Sequence, residues 1–229
     1  MSKVVLKNSM GDDLAVVNAA RVSMAKESKW EWAARGDESD LRCHIQLPES
    51  DKKLIGYLAK HEHWTPFSHV MLTFVIQMPI FVARQWFRHT VGFTRNETSR
   101  RYVDDAPEFF MPKYFRTRAA NVKQGSTDEV HKDSGPWMVE ARTIHAHALI
   151  LYNSMIADGV PPEQARMFLP QTMETEFYET ASLAAYARLC RQRQDAHAQA
   201  EIREFADKVA MGCQHVAPVS WAALMGGEG

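Results

Sequence analysis

The sequence predicts an α+β (mixed α/β) protein, a single domain in which several helices flank a small mixed sheet. Most segments carry apolar residues at helical spacing, whereas roughly three or four short segments are rich in β-branched and aromatic residues or alternate. No internal repeat and no shift in composition divides the chain, and its 229 residues suit one large domain. We therefore treat residues 1–229 as one domain.

The composition excludes several classes of protein. Hydrophobic residues make up 45% and charged residues 24% of the chain, which is ordinary for a globular domain. The formal net charge is −1, whereas generic binders of nucleic acids or membrane surfaces are usually strongly basic. The three cysteines, Cys43, Cys190 and Cys213, are far apart and favour neither a disulfide framework nor a zinc site. Without a signal-peptide pattern or a sufficiently long apolar run, we expect a cytoplasmic protein.

In the first third of the chain, β-rich and helical patterns alternate. Residues 3–7 form a plausible first strand, and 12–26 predict a helix with an aspartate cap. A polar, aperiodic segment over 26–50 predicts a surface loop, after which a capped helix restarts at Ser50 and Asp51. "SHVMLTFVIQMP" (68–79) predicts a buried strand that Pro79 ends.

The remaining two thirds are mainly helical. "PIFVARQWFRHTV" (79–91) predicts a helix with proline in its first turn, and 91–103 predict a loop returning to extended chain. A second polar segment covers 118–135. A long amphipathic helix is predicted over 136–160, ended by Asp158-Gly159. After it we expect a short helix at 161–170, a strand at 172–182, and helices at 183–193, 196–213 and 218–225.

Clustered arginines are the main functional signal. Arg84 and Arg88 stand four apart on one predicted helix face, Arg95, Arg100 and Arg101 follow, and a second group comprises Arg166, Arg188, Arg191 and Arg193. Such residues are usually solvated and ion-paired. Here they neighbour Trp86, Phe87, Phe93 and Tyr102, which would suit a phosphorylated, planar ligand. The residues alone leave both interpretations open.

Other kinds of chemistry have weaker signals. His61 and His63 have no carboxylate or cysteine at metal-ligand spacing, so we expect no metal site. Neither Ser99 nor Cys190 has the surroundings of a catalytic nucleophile. Gly-rich phosphate-binding motifs are absent, and side chains must therefore hold any nucleotide cofactor.

The segment "RQWFRHTVGFTRNETSRRY" (84–102) resembles the signature of the flavin-dependent thymidylate synthases, R-H-R-x-x-S-x-N-E-x-S-x-R-Y. Five further segments resemble the family in the same order: "NAARVS" (18–23), "HEHWTPFSH" (61–69), "PIFVARQWFRH" (79–89), "GVPPEQARMFLP" (159–170) and "RQRQDAHAQAEI" (191–202). The chain departs from the signature in two ways. Thr90 replaces its second arginine, which helps to hold the flavin in the family, and one residue is inserted before Asn96. We expect Arg95 or Arg188 to take over that contact.

The resemblance implies that the protein converts dUMP to dTMP with 5,10-methylenetetrahydrofolate as carbon donor, FAD as hydride carrier and NADPH as reductant. It implies a catalytic Arg193 that stabilises charge on the uracil ring. The implied FAD contacts are His63, Thr65, Arg88, His89, Thr90, Glu97, Ser182 and Arg188. The implied substrate contacts are Gln85, Trp86, Phe87, Arg88, Glu97, Thr98, Ser99, Arg100, Arg101, Arg166 and Arg193. The family assembles as homotetramers with shared active sites, so we expect the same here.

Two alternatives remain at this point. The first is a related C5-modifying flavoenzyme that acts on UMP or transfers hydroxymethyl, for which the changes at and after Thr90 leave room. The second is an Arg-rich nucleic-acid-binding module, which the net charge disfavours.

Overall fold

A four-stranded antiparallel sheet organises the protein, for which a computed structural model describes residues 3–32, 45–103, 105–120 and 126–226. Its strands lie in the order β1 (Lys3–Met10), β4 (Met71–Pro79), β8 (Glu174–Ser182), β5 (Phe93–Glu97). The predicted α+β class is confirmed, but the sheet is antiparallel rather than mixed. The chain leaves β1 and enters β4 at the same end, with Met10 opposite Met71, so the two strands must run in opposite directions.

One face of this sheet carries the hydrophobic core. Leu72, Phe74, Ile76 and Met78 alternate along β4 and are all fully or almost fully buried. The helices that cover them are α1 (Asp13–Arg21), α2 (Glu49–Lys60), α6 (Leu183–Arg193), α7 (Ala200–Val216) and α8 (Pro218–Leu224). Helix α7 approaches the sheet closely at Gly212, where a Cβ atom would lie 2.6 Å from Phe74 Cε1. A glycine is therefore required at this contact.

Several helix boundaries differ from the predicted ones. Helix α2 begins at Glu49 with Pro48 as its N-cap, so Ser50 and Asp51 lie inside the first turn, and Asp51 is buried in an ion pair with Arg21. Helix α7 begins at Ala200 rather than at 196. Helix α3 (Ile80–Trp86) follows Pro79 as predicted but ends before Arg88, so Arg84 and Arg88 do not share a helix face. In α3 and α7 turn residues replace the predicted end of the helix, whereas α2 begins one residue earlier than predicted.

The two polar segments each contain a short two-stranded ribbon. The first pairs β2 (Glu31–Trp32) with β3 (Ile45–Gln46), and residues 33–44 lie outside the described part of the chain. The second pairs β6 (Arg116–Arg118) with β7 (Ser126–Val130), and 121–125 are likewise not described. The predicted loop at 91–103 instead contains β5, which forms an edge of the main sheet.

The 24-residue helix α4 (Ser134–Ala157) buries little of its surface. Only Ser134 and Tyr152 are buried, whereas Trp137, Ile144 and Leu151 remain 56%, 60% and 44% exposed. The predicted long helix over 136–160 is present, but none of its apolar side chains belongs to the hydrophobic core cluster of its own chain. The short α5 (Pro162–Ala165) and the 3-10 turn Arg166–Phe168 follow it. Among the described helices, none has both the length and the apolar character that a membrane span requires.

Candidate active site

Two clefts lie at opposite ends of the edge strand β5. The first, which we call the His89 cleft, has a volume of about 390 Å³ and includes Phe93 in its lining. The second, the Arg166 cleft, has a volume of about 770 Å³ and includes Glu97. Four residue steps of extended chain separate Phe93 from Glu97, which is about 13 Å. The two clefts are therefore distinct sites within one chain.

Arg193 occupies the His89 cleft in a fixed orientation. Its Nε–H donates to Nε2 of His89 at 2.9 Å, and its Nη2 donates to the carbonyl oxygen of Gln85 at 3.0 Å. Burial, together with the positive charges of Arg193, Arg95 and Arg188, lowers the pKa of His89 to about 4. The imidazole is consequently neutral near pH 7 and can accept this hydrogen bond. Both protons of Nη1 and one proton of Nη2 are left to meet a ligand.

The rest of the His89 cleft is cationic. Among the described residues, its lining contains Arg88, Thr90 and Arg188 and no carboxylate. Arg188 also donates to the carbonyl oxygen of Val91 at 2.8 Å, which ties α6 to the turn before β5. Gly92 permits this approach, because it has a φ of +82° and a Cβ there would lie 3.2 Å from Ala185 Cβ. The cleft thus presents several guanidinium groups on a closely packed wall.

A buried polar cluster lies beneath this wall. The fully buried carboxylate of Glu179 accepts hydrogen bonds from Trp86 Nε1 at 3.0 and 3.1 Å and forms an ion pair with Arg95. Arg95 also donates through Nη1 to the carbonyl oxygen of His89 at 2.7 Å. Burial raises the pKa of Glu179, and the charge of Arg95 opposes this effect. Arg95 therefore points into the protein, and Arg188 is the candidate that reaches the cleft.

The Arg166 cleft is lined by both acidic and basic side chains. Thr175 donates to Glu97 at 2.7 Å, and Arg100 donates to the Asp105 carboxylate at 2.7 Å. Glu174 also lines this cleft, where burial and the nearby charge of Glu108 raise its pKa to about 7. Further lining comes from Arg84, Thr98, Ser99 and Arg166. Arg101 lies at the surface, 3.6 Å from Glu163, with its guanidinium over the ring of Tyr102.

The structure brings the predicted site residues together in two groups. Arg88, His89, Thr90, Arg188 and Arg193 line the His89 cleft, whereas Glu97, Thr98, Ser99, Arg100 and Arg166 line the Arg166 cleft. One chain therefore separates the predicted catalytic arginine from most of the predicted substrate contacts.

Other predicted residues lie outside both clefts. Trp86 is fully buried, so only its backbone is available to a ligand, and the half-buried Phe87 packs edge-on against Phe177. Gln85 donates to Gln199 at 2.7 Å. The hydroxyl oxygen of Ser182 caps α6 by accepting from the Ala185 N–H at 3.2 Å. His63 and Thr65 lie in the exposed segment after α2.

Sequence reasoning named Glu97 but missed the other carboxylates of these sites, Glu108, Glu174 and Glu179. Glu174 and Glu179 lie in the strand that was predicted over 172–182, and Glu108 precedes the isolated bridge between Phe109 and Met173. Glu179 had a usable signal, because it shares the inward parity of Phe177 and Ala181. A carboxylate on an apolar strand face requires a buried cation. Among the described residues, no group of three His, Cys, Asp or Glu side chains could hold a metal ion.

The fold and clefts define a class of α+β protein whose clefts are lined with arginine side chains suited to anionic ligands. Residues 4–219 match the family model described as "Thymidylate synthase complementing protein". The chain belongs to this family, the flavin-dependent thymidylate synthases, and is an enzyme of the methyltransferase class. The nucleic-acid-binding alternative is therefore set aside.

Relatives and solved structures extend this match along the chain. A flavin-dependent thymidylate synthase of Thermosipho africanus is 36% identical over 223 residues, covering 96% of this chain and 89% of the relative. One from Thermus thermophilus is 36% identical over 221 residues, covering 96% and 74%. The UMP/dUMP methylase PolB of Streptomyces cacaoi, solved with 5-Br dUMP, aligns with a TM-score of 0.82 and 27% identity over 99% of this chain and 96% of that one. Its structure with 5-Br UMP aligns with a TM-score of 0.78 and 25% identity over 99% and 94%.

Proposed function

We propose that this protein methylates dUMP at C5 to give dTMP, with 5,10-methylenetetrahydrofolate as carbon donor, FAD as cofactor and NADPH as reductant. The family and the nucleotide analogues bound to PolB support a uridine nucleotide as substrate. The observation that carries the proposal is the orientation of Arg193, which His89 and Gln85 hold in a cationic cleft. A covalent nucleophile is not needed for this chemistry, and Cys190 is buried with a pKa that burial raises above its ordinary value.

Arg193 is the proposed catalytic residue. C5 of uracil becomes nucleophilic only as negative charge develops on the ring at N3 and O2. A guanidinium whose position is already fixed stabilises that charge without reorganising during the reaction. Because Nε and one Nη2 proton are engaged by protein acceptors, the unpaired protons of Nη1 and Nη2 form the planar donor pair for the ring.

The His89 cleft fits the FAD contacts that we propose for Arg88, His89, Thr90 and Arg188, and Ser182 is a proposed contact that lies outside its lining. In the described part of the chain its lining has arginines and no carboxylate, which suits a diphosphate, and neutral His89 adds an uncharged ring. When bound, the flavin supplies the hydride chemistry. His63, Thr65 and Glu97 are the remaining proposed FAD contacts. They lie outside the His89 cleft, which suggests that they come from another subunit.

The Arg166 cleft fits the nucleotide phosphate and sugar. We propose that Ser99, Arg100, Arg101 and Arg166 contact the phosphate, while Glu97 accepts a hydrogen bond from a sugar hydroxyl and Thr98 contributes to the same wall. Phosphate prefers the bidentate donors of arginine. Gln85, Trp86, Phe87 and Arg88 complete the proposed substrate contacts, with the buried Trp86 acting through its backbone.

We also propose a homotetramer in which each active site combines the His89 cleft of one subunit with the Arg166 cleft of another. The separation of the two clefts within one chain supports shared sites. Helix α4 supports association, since Trp137, Ile144 and Leu151 repeat every seven residues and form one exposed stripe.

A mass-resolved product assay tests the reaction. Purified protein is incubated with 5,10-methylenetetrahydrofolate, NADPH and either dUMP or UMP. Methylated dUMP is the expected product. Hydroxymethylated product, or no C5-modified product with either nucleotide, would reject the proposed reaction. A preference for UMP would instead support the related enzyme, which the structure of PolB with 5-Br UMP favours as the second candidate.

Flavin content of the purified protein tests the cofactor assignment. Arg188→Ala removes a cation from the His89 cleft and should give a folded protein with little bound flavin, whereas Arg191→Ala, an exposed change on the same helix outside that lining, should retain it. Equal flavin content in the two variants would show that Arg188 does not hold the cofactor.

A further inference from the structure

Three elements meet at Glu179 in the protein interior. Trp86 is the last residue of α3, Arg95 lies in the edge strand β5, and Glu179 is its direct cross-strand partner in β8. The Glu179 carboxylate accepts from the Trp86 indole and pairs with Arg95, and Arg95 in turn donates to the His89 carbonyl oxygen at 2.7 Å. The Glu179 carboxylate therefore holds both ends of the turn over 86–89. It contacts Trp86 directly and reaches the His89 carbonyl oxygen through Arg95.

This turn carries the acceptors that orient Arg193. The Arg193 Nε–H meets the His89 ring, and its Nη2 meets the carbonyl oxygen of Gln85, one residue before the turn. Helix α6 brings Arg193 to the cleft, but an arginine side chain has several rotatable bonds, so its acceptors determine the direction of its guanidinium. A shift of the turn would move these acceptors together.

Stability alone does not account for the buried pair. Apolar residues of similar volume commonly replace a buried ion pair without loss of stability, because removing two charges from water is costly. The Nη2 atom of Arg95 is also buried without a hydrogen-bond partner among the described residues. Its guanidinium lies 4.6 Å from the centre of the Phe93 ring and 5.2 Å from that of Phe87. These rings confine Arg95 to an orientation that reaches the His89 carbonyl oxygen.

We propose that Glu179 is a positioning residue for Arg193: through Trp86 and Arg95 it holds the 86–89 turn, so that His89 and Gln85 direct the Arg193 guanidinium into the cleft. This inference rests on the proposed role of Arg193 in methyl transfer. It assigns a catalytic consequence to a carboxylate that touches neither substrate nor cofactor.

Arg95→Lys tests the proposal while keeping the buried charges balanced. A lysine ammonium can pair with Glu179, but it lacks the planar fork that reaches the carboxylate and the His89 carbonyl oxygen together. We expect kcat for methyl transfer to fall roughly 10- to 100-fold, because small misplacements of a catalytic group have effects of this size. The matched control is Arg116→Lys, which makes the same change in the ion pair with Glu201 outside the His89 cleft and should leave kcat unchanged.

A double-mutant cycle separates positioning from a general structural effect. If Arg95 acts through Arg193, adding Arg95→Lys to Arg193→Ala should cause no further loss of kcat. The proposal would be overturned if Arg95→Lys lowered kcat equally in the wild-type and the Arg193→Ala proteins, or lowered it in neither. Should Arg95→Lys fail to fold, Glu179→Gln combined with Arg95→Met serves in the same cycle, because the glutamine oxygen can still accept from Trp86.

An NMR titration of the His89 ring tests, without turnover, whether Glu179 and Arg95 hold the 86–89 turn. The charges that face His89 come from Arg193 and Arg188 on α6 and Arg95 on β5, and together with burial they lower its pKa to about 4. In Arg95→Lys the pKa of His89 should rise toward 6.5, because the introduced ammonium lies nearer Glu179 and the contact with Arg193 loosens. An unchanged pKa of His89 in this variant would overturn the proposed positioning role of Glu179. If the wild-type protein does not transfer methyl groups, the proposed function is rejected. The titration would still test whether Arg95 and Glu179 hold the 86–89 turn.

Discussion

At the scale of single residues, the hydrogen bond between Arg193 and His89 requires a neutral imidazole. Protonation of His89 would place two cations 2.9 Å apart and remove the acceptor. The pKa of His89 in the folded protein, about 4, lies below its ordinary value of 6.5. This depression contributes stability that is fully present above pH 6.5 and is lost as the pH falls through the folded-state value. The orientation of Arg193 is therefore maintained at neutral pH.

We expect Arg193→Ala to divide the reaction into an intact and an impaired half. Its interaction with uracil forms mainly in the transition state, so kcat for methyl transfer should fall about 100- to 1,000-fold. Flavin reduction by NADPH requires no uracil activation and should continue. Arg193→Lys should rescue poorly, because an ammonium lacks the planar donor pair. Stopped-flow flavin reduction and single-turnover methyl transfer measure the halves separately. Loss of both would indicate a role in flavin binding or folding, and loss of neither would place the activating group elsewhere.

Glu174 should make stability depend on pH. Its folded-state pKa is raised from 4.5 to about 7, so the stabilising contribution of its protonated form is present below pH 4.5 and lost as the pH rises through 7. Glutamine resembles that protonated form. Glu174→Gln should therefore raise the thermal midpoint relative to the wild type at about pH 8 and alter it little at about pH 5. Thermal melts across this range provide the measurement, and a difference independent of pH would contradict the assignment.

At the scale of elements, α3, β5 and α6 determine the His89 cleft, and α4 determines how copies of the chain can associate. The turn after α3 and the N-terminal end of β5 supply one wall, and α6 supplies the other. Helix α4 contributes only two buried residues to its own chain. A helix of 24 residues with an exposed apolar stripe needs a partner surface to cover it.

Charge on the α4 stripe should therefore dissociate the proposed tetramer. In Ile144→Lys, assembly would require burial of an unpaired ammonium, which is strongly unfavourable. Light scattering coupled to gel filtration should show smaller species, with helical content retained by circular dichroism. Ala146→Lys introduces the same charge near the opposite side of the helix and is the matched control. An unchanged mass for Ile144→Lys would exclude this stripe from the interface.

At the scale of the whole molecule, the sheet holds the two clefts apart. Strand β5 has one cleft at each end, and Arg193 and Arg166 of a single chain line different clefts. The nucleotide phosphate and the uracil ring require both groups in the proposed reaction. The proposed association of subunits would resolve this separation, and activity would then depend on assembly.

Subunit complementation tests this arrangement directly. Arg193→Ala impairs one cleft and Arg166→Ala the other, so a hybrid tetramer can form sites that contain both wild-type clefts. Statistical mixing of equal amounts should restore roughly a quarter of the sites. The variants are dissociated, reassembled together and assayed below saturating dUMP, with each variant treated alone as the control. Activity no higher than the mean of the two separate variants would show that one chain supplies both arginines.

The sequence by itself determined the elements whose signals are local. The buried strand ending at Pro79, the strand over 172–182 and the helix over 183–193 all follow from periodicity and boundary residues that act within a few positions. The signature segments also located Arg88, His89 and Arg193 as candidate site residues. These predictions needed no knowledge of which segments meet in space.

Only the tertiary structure decided which of these residues act together. Arg193 meets His89 across 104 positions of the chain, and Arg95 meets Glu179 across 84, because β5 pairs with β8 in one particular register. A shift of one residue would turn Arg95 to the other face of the sheet. Register and burial also separated the two clefts and left α4 exposed. Each outcome depends on the free energies of contacts between segments far apart in the sequence. A local sequence pattern does not indicate which distant segments meet.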